Sequence, residues 1–152
     1  MEKMPSVFVS HGMPTIVETP VPTREFLQRL GSRLPRPTAV LCISAHFESW
    51  LPLVTAVPNP ETIHGRRQDD PPPDYVVSFD AWLEEVLCNG EAEALLDYEH
   101  RAPEARRNHP YPAEHFLPLF VSAGAAGRKA RAGRLHAAFL YGVLSMAAYA
   151  WD

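Results

Sequence analysis

Seven histidines punctuate this chain of 152 residues, at positions 11, 46, 64, 100, 109, 115 and 136. A histidine on its own is most often a hydrogen-bonded polar side chain. Two of the seven stand differently, because each follows a short apolar run of strand length. Val7-Phe8-Val9 leads through Ser10 to His11, and Ala39-Val40-Leu41-Cys42-Ile43 leads through Ser44-Ala45 to His46. Small neighbours, Gly12 and Ala45, leave room for a ligand to approach, and Glu48 follows. Imidazoles with a carboxylate are the material of metal ligation and of acid–base catalysis. The spacing is too long for a compact zinc motif, so a third ligand must come from a distant segment, and Glu114 and His115 are the candidates. Two or three neutral imidazoles, one carboxylate at most and open coordination positions suit Fe(II) or Zn(II). Iron in such a site binds substrate and dioxygen side by side, whereas zinc activates water for hydrolysis. The pattern leaves both open.

The elements that must position these side chains begin with a β-α-β unit. Val7-Phe8-Val9 reads as a buried strand, and Thr23 reads as the cap of a helix with Phe26, Leu27, Leu30 and Leu34 on one face. Pro35 and Pro37 stop that helix before a second strand, Ala39 to Ile43. Two strands joined in this way are parallel and buried, and ligands bind outside the carboxyl ends of such strands, where His11 and His46 stand. Leu53 to Val57 reads as a third strand leading into Pro58-Asn59-Pro60-Glu61-Thr62-Ile63-His64. The expected class is therefore α/β, a mostly parallel sheet flanked by helices.

Sixteen prolines, about twice the average usage of roughly 5%, confine regular structure to the windows between them. Gly65 to Pro73 is charged, then proline-rich, and reads as a linker. From Asp74 the spacing of Phe79, Trp82, Leu83, Val86 and Leu87 predicts an amphipathic helix closed by Asn89-Gly90, with a short helix over Glu91 to Leu96 after it. Residues 99–109 are polar enough to read as a solvated loop. A helix is expected over Ala113 to Val121, with Pro112 at a tolerated early position, Pro118 kinking it or loosening its first turns, and Gly124 and Gly127 ending it. A basic turn, Arg128 to Arg134, and a last strand, Ala138 to Tyr141, complete the pattern.

The length is that of one domain, residues 1–152, and 46% hydrophobic residues suffice for its core. A net charge of -4 and the absence of a basic face argue against nucleic acid as partner. The apolar stretch Ala137 to Trp151 is shorter than the roughly 20 residues of a membrane-spanning helix and is interrupted by Gly142 and Ser145, so it reads as buried strand and turn; the N-terminal residues carry no signal pattern, and a soluble, cytoplasmic protein is expected. Cys42 and Cys88 form no C-x-x-C pair and read as buried thiols in a reducing compartment.

Four segments together resemble the class III extradiol ring-cleavage dioxygenases, in particular the branch that looks like 4,5-DOPA dioxygenase. They are Pro5 to Gly12, Ser44-Ala45-His46-Phe47-Glu48, Pro58 to His64, and Ala113-Glu114-His115-Phe116-Leu117-Pro118-Leu119-Phe120. Phe79 to Leu83 and Tyr141 to Met146 extend the likeness. The resemblance implies a non-haem Fe(II) site, with zinc in some members, that holds a catechol through both oxygens and inserts O2 beside the diol. It places His11, His46 and His115 as ligands of one divalent ion, keeps Glu114 as the alternative to His115, and puts His64 near the substrate as a binding candidate. His109 and His136 are left structural. Family members carry a long central block with an Asp-His-Gly motif where this chain has Gly65 to Asp70, so a deletion seam is expected near residues 65–73. The proton-transfer histidine of that motif has no counterpart, and no catalytic residue is assigned beyond the ligands. Strands that have lost their neighbours expose edges, which favours self-association. Two other readings compete: a non-catalytic remnant that binds a metal or a partner without turnover, and a zinc hydrolase on the same histidines.

Overall fold

The longest apolar stripe in the sequence forms the longest helix, and the rest of the core is arranged on it. The structure, a computed structural model, describes residues 4–12, 14–42 and 67–151. Its elements in chain order are β1 (Ser6–Val9), α1 (Pro22–Arg33), α2 (Asp74–Asn89), α3 (Ala92–Leu96), α4 (Tyr98–Arg101), α5 (Ala105–Asn108), α6 (Leu117–Ala126), β2 (Gly133–His136), β3 (Phe139–Leu140), β4 (Leu144–Ser145) and β5 (Ala148–Trp151), with a short 3-10 turn at Pro14–Val17. Phe79, Leu83, Val86 and Leu87 of α2 bury their side chains with Ala94 and Leu95 of α3, Phe116, Leu119 of α6, and Tyr149 and Trp151 of β5. A second, smaller cluster gathers Ile16, Val21, Leu140 and Met146.

The sheet differs from the one expected. Its order is β1-β5-β2, and both pairings are antiparallel, with Ser6 opposite Trp151 and Val9 opposite Ala148. No parallel pair occurs among the described residues. The central place belongs to β5, where Ala148, Tyr149 and Trp151 are 1%, 0% and 2% exposed; a strand buried this completely offers both of its edges, and β1 takes one of them. Residues 39–42 of the expected second strand have no regular structure, and Val40 and Leu41 are 79% and 87% exposed. Among the described residues no strand pairs with them, and a parallel strand needs neighbours to bury it. Ile43 and the expected strand over Leu53 to Val57 lie outside the described residues. The architecture is mixed helix and sheet, with small antiparallel sheets in place of a mostly parallel one.

Other boundaries move for local reasons. Thr23 is the second residue of α1 and not its cap; it is almost wholly buried, and its hydroxyl is 3.0 Å from His136 Nε2. Helix α6 begins at Leu117, not Ala113, so Pro118 falls in its first turn, where a missing N–H costs nothing. Pro112 lies outside the helix, after a cis bond to Tyr111. Gly124 is accommodated inside α6, which ends at Gly127. Residues 99–109 are not a solvated loop. They form α4 and α5, which turn Ala102 and Ala105 inward while His100 and Arg101 bond to Asp97 on the outside. The hydrogen bonds from His100 and Arg101 hold the Asp97 carboxyl below its ordinary range. Arg134 joins β2 instead of a turn. Cys42 is exposed, contrary to expectation, whereas Cys88 is half-buried with its thiol pKa raised chiefly by that burial. Among the described residues no helix is long and apolar enough to cross a membrane.

The stop of α2 is as expected. Gly90 is left-handed at φ 72°, and the carbonyls of Leu87 and Val86 are satisfied beyond it. A Cβ at Gly90 would stand 3.1 Å from the Ala130 carbonyl oxygen and 3.3 Å from that of Lys129. Both obstacles are backbone. Gly90→Ala is therefore expected to cost about 1–2 kcal/mol from the left-handed conformation alone, more once the crowding is added, and to lower the melting temperature by several degrees in a thermal scan.

Candidate functional site

His11 lies two residues beyond β1, after Ser10 has extended the ladder by one bond, its N–H donating to the Ala147 carbonyl at 3.1 Å. At Gly12 the chain turns with φ 64°, and a Cβ there would come within 3.0 Å of the Met146 methyl, so the turn lies tight against the end of the sheet. The imidazole of His11 is exposed.

His115 belongs to the turn that enters α6, in which the Phe116 N–H donates to the Ala113 carbonyl at 2.9 Å. Its side chain is exposed while the next one, Phe116, is 3% exposed. The two elements next to these histidines are bound to each other. Ser6 Oγ of β1 donates to the Ser122 carbonyl of α6 at 2.8 Å, and Ser122 Oγ reaches the Val7 carbonyl at 3.5 Å. Next to His115 in the chain, Glu114 keeps one carboxylate oxygen, Oε2, buried and without a hydrogen-bond partner among the described residues. A buried acceptor in that condition is uncommon and would be satisfied by a cation beside it.

His46, Glu48 and His64 lie outside the described residues. Among the described residues no group of three or more His, Cys, Asp or Glu side chains is placed to hold a metal ion. The remaining histidines have other employment. His100 bonds Asp97 at 2.7 Å on the surface. His136 bonds Thr23 and stacks on Phe26 at 4.6 Å with 8° between the rings, and its burial lowers its pKa.

His109 is the residue whose importance the sequence pattern did not convey. Its ring stacks on Phe116 at 4.2 Å and 14°, and meets Phe79 at 5.1 Å and 58°. Burial, helped by repulsion from His115, pushes its pKa down to about 4, so the imidazole is neutral at physiological pH. The only signal in the sequence is the run His109-Pro110 before the α6 motif. A second polar group was also missed: Asp80, buried on α2, accepts a hydrogen bond from Ser145. Close to it Tyr149 is wholly buried with its hydroxyl unpartnered among the described residues; burial, then the charges of Asp80 and Glu84, raise its phenol pKa far above the ordinary value. Period-3.6 patterning marks α2 as apolar and gives no hint that Asp80 faces inward.

Over 75 residues, 49% of its length, the chain is 41% identical to 4,5-DOPA dioxygenase extradiol of Beta vulgaris, and that match covers 28% of the beet protein. The Portulaca grandiflora protein of the same name is 41% identical over 76 residues, again 49% of this chain and 28% of the other. The chain is related, over about half its length, to extradiol dioxygenases. The relationship extends to bacteria, since 4,5-DOPA dioxygenase extradiol of Escherichia coli (strain K12) is 43% identical over 63 residues, 41% of this chain and 23% of that one. The matched stretch thus spans only 23% to 28% of the length of these curated relatives. No family model matches the chain.

Proposed function

We propose that this protein is, or is part of, a non-haem metal-dependent extradiol dioxygenase that opens a DOPA-like catechol beside its diol by inserting O2. The observation that carries the reading is the 41% identity to proteins named for that activity over half of the chain. His11, His46 and His115 would hold one ion, Fe(II) or Zn(II), with Glu114 as the alternative to His115. The donor chemistry suits such a cation: His11 and His115 are exposed imidazoles adjoining two mutually bonded elements, and Glu114 adds a buried carboxylate oxygen with no hydrogen-bond partner among the described residues. When bound, the ion would supply a Lewis acid for the two catechol oxygens and a place for O2 to be activated. The chain's own part is to fix the imidazoles in position and to keep His109 as an uncharged ring near His115. His64 remains a candidate for contact with the substrate.

The small share of the relatives' length that is matched favours a second reading, a shortened homologue that binds the ion without turnover. One experiment separates the two. Protein loaded anaerobically with Fe(II) is given a panel of catechols, and oxygen consumption and ring-cleavage product are followed, with His11→Ala and His115→Ala alongside. The enzyme reading expects uptake in the wild type and background rates in both variants. Folded, iron-loaded protein that consumes no oxygen with any catechol would support the second reading, and metal content unchanged in both variants would remove the proposed centre.

A further inference from the structure

The turn that bears His115 has an unusual support. Helix α5 delivers His109 in a fixed place: its N–H donates to the Ala105 carbonyl at 2.8 Å, and Asn108 Nδ2 ties the same corner to the carbonyls of Tyr75 and Glu104 at 3.0 and 3.1 Å. From there the imidazole lies flat on Phe116. Phe116 is otherwise held edge-on, by Phe79 at 5.8 Å, Tyr98 at 5.0 Å and Phe120 at 5.1 Å. The stacked face is thus closed by His109, and His115 is the residue joined directly to this clamped ring.

Resting on the reading of His115 as a ligand, we propose that His109 is a positioning residue: by stacking on Phe116 it fixes the turn that presents His115 to the metal. An aromatic ring at 109 supplies the geometry. Groups that orient a ligand in this way commonly contribute 10–100-fold to metal affinity.

The test uses Co(II), whose visible bands report coordination geometry, titrated into the full chain as wild type, His109→Ala and His109→Phe, with folding checked by circular dichroism at the titration temperature. His109→Ala is expected to bind Co(II) about 10–100-fold more weakly with altered bands, and His109→Phe, which restores a ring, to recover wild-type bands and most of the affinity. Folded His109→Ala with wild-type affinity and bands would overturn the role, even if its melting temperature had dropped, because His109 would then stabilise the fold without positioning His115. His109→Phe as weak as His109→Ala would overturn stacking as the means. Wild type that takes up no Co(II), or takes it up equally in His11→Ala and His115→Ala, would refute the metal centre itself and the positioning role with it, a pattern distinct from the other two.

Discussion

Phe116→Ala is expected to lower the unfolding free energy by about 3–5 kcal/mol, the usual cost of emptying a buried phenylalanine site. The upper half of that range is favoured here. Phe116 is 3% exposed and meets Phe79, Tyr98, His109 and Phe120, four rings whose contacts with it fall between 4.2 and 5.8 Å. Aromatic pairs of this kind add about 0.5–1.5 kcal/mol each beyond area burial, and these rings arrive from α2, α4, the segment after α5, and α6 itself. Relaxation into the cavity would have to move several elements at once. Against a total stability of roughly 5–15 kcal/mol the loss is large. In urea the midpoint should fall with little change of slope, and the melting temperature should drop by about 6–20 °C. Phe116→Leu, which keeps most of the volume, should cost less than half as much. A loss under about 1 kcal/mol for the alanine variant would mean that the ring is not clamped, and the argument for His109 would lose its footing.

What could be read from the sequence was whatever a local rule determines. The stripe Phe79, Trp82, Leu83, Val86 and Leu87 gave α2 its length, and Asn89-Gly90 gave its end, because periodicity and a left-handed cap are properties of neighbours in the chain. Strand β1 was legible for the same reason, and so was the position of His11 just beyond it. Pairing was not legible. Nothing within Val7-Phe8-Val9 says whether its partner will be Ala39 to Ile43 or the residues Ala148 to Trp151 at the far end, and the choice rests on which run is buried on both faces in the assembled core. The stretch Ala137 to Trp151 reads as buried strand and turn, but the pattern puts its strand at Ala138 to Tyr141 and gives no sign that Ala148 to Trp151 is the central strand of the sheet. Polar residues misled in a similar way. Counting charges made residues 99–109 a solvated loop, although Ala102, Ala105 and His109 face the core between the outward ion pairs. Of the proposed ligands, His11 and His115 can be followed into the structure, next to elements that Ser6 and Ser122 bind together; His46, and with it the substrate-contact candidate His64, belongs to the stretch outside the described residues.

The ring at 109 also sets how the protein responds to acid. Its pKa falls from 6.5 to about 4 in the folded chain, first because burial disfavours the imidazolium and second because of His115. An unfolded chain takes up the proton near pH 6.5, and the folded one resists it until about pH 4, so the unfolded state binds more protons throughout that interval and stability falls as pH falls. The contribution is fully present above 6.5 and gone below about 4. A shift of this size corresponds to about 2–3 kcal/mol after allowance for the solvent that reaches the edge of the ring. His136, whose pKa burial also lowers, works in the same direction from the β2 end. Asp97 too loses its contribution in acid, but lower down, because its folded pKa lies below the ordinary 3.8. His109→Phe isolates the first effect: it retains the stack and cannot take a proton. Urea midpoints measured in the metal-free protein at pH 7, 5.5 and 4.5 should fall more steeply for the wild type than for the variant, the gap between them changing by up to about 2–3 kcal/mol across the interval. Parallel curves would show that the imidazole titrates alike in both states and is therefore not held neutral against Phe116.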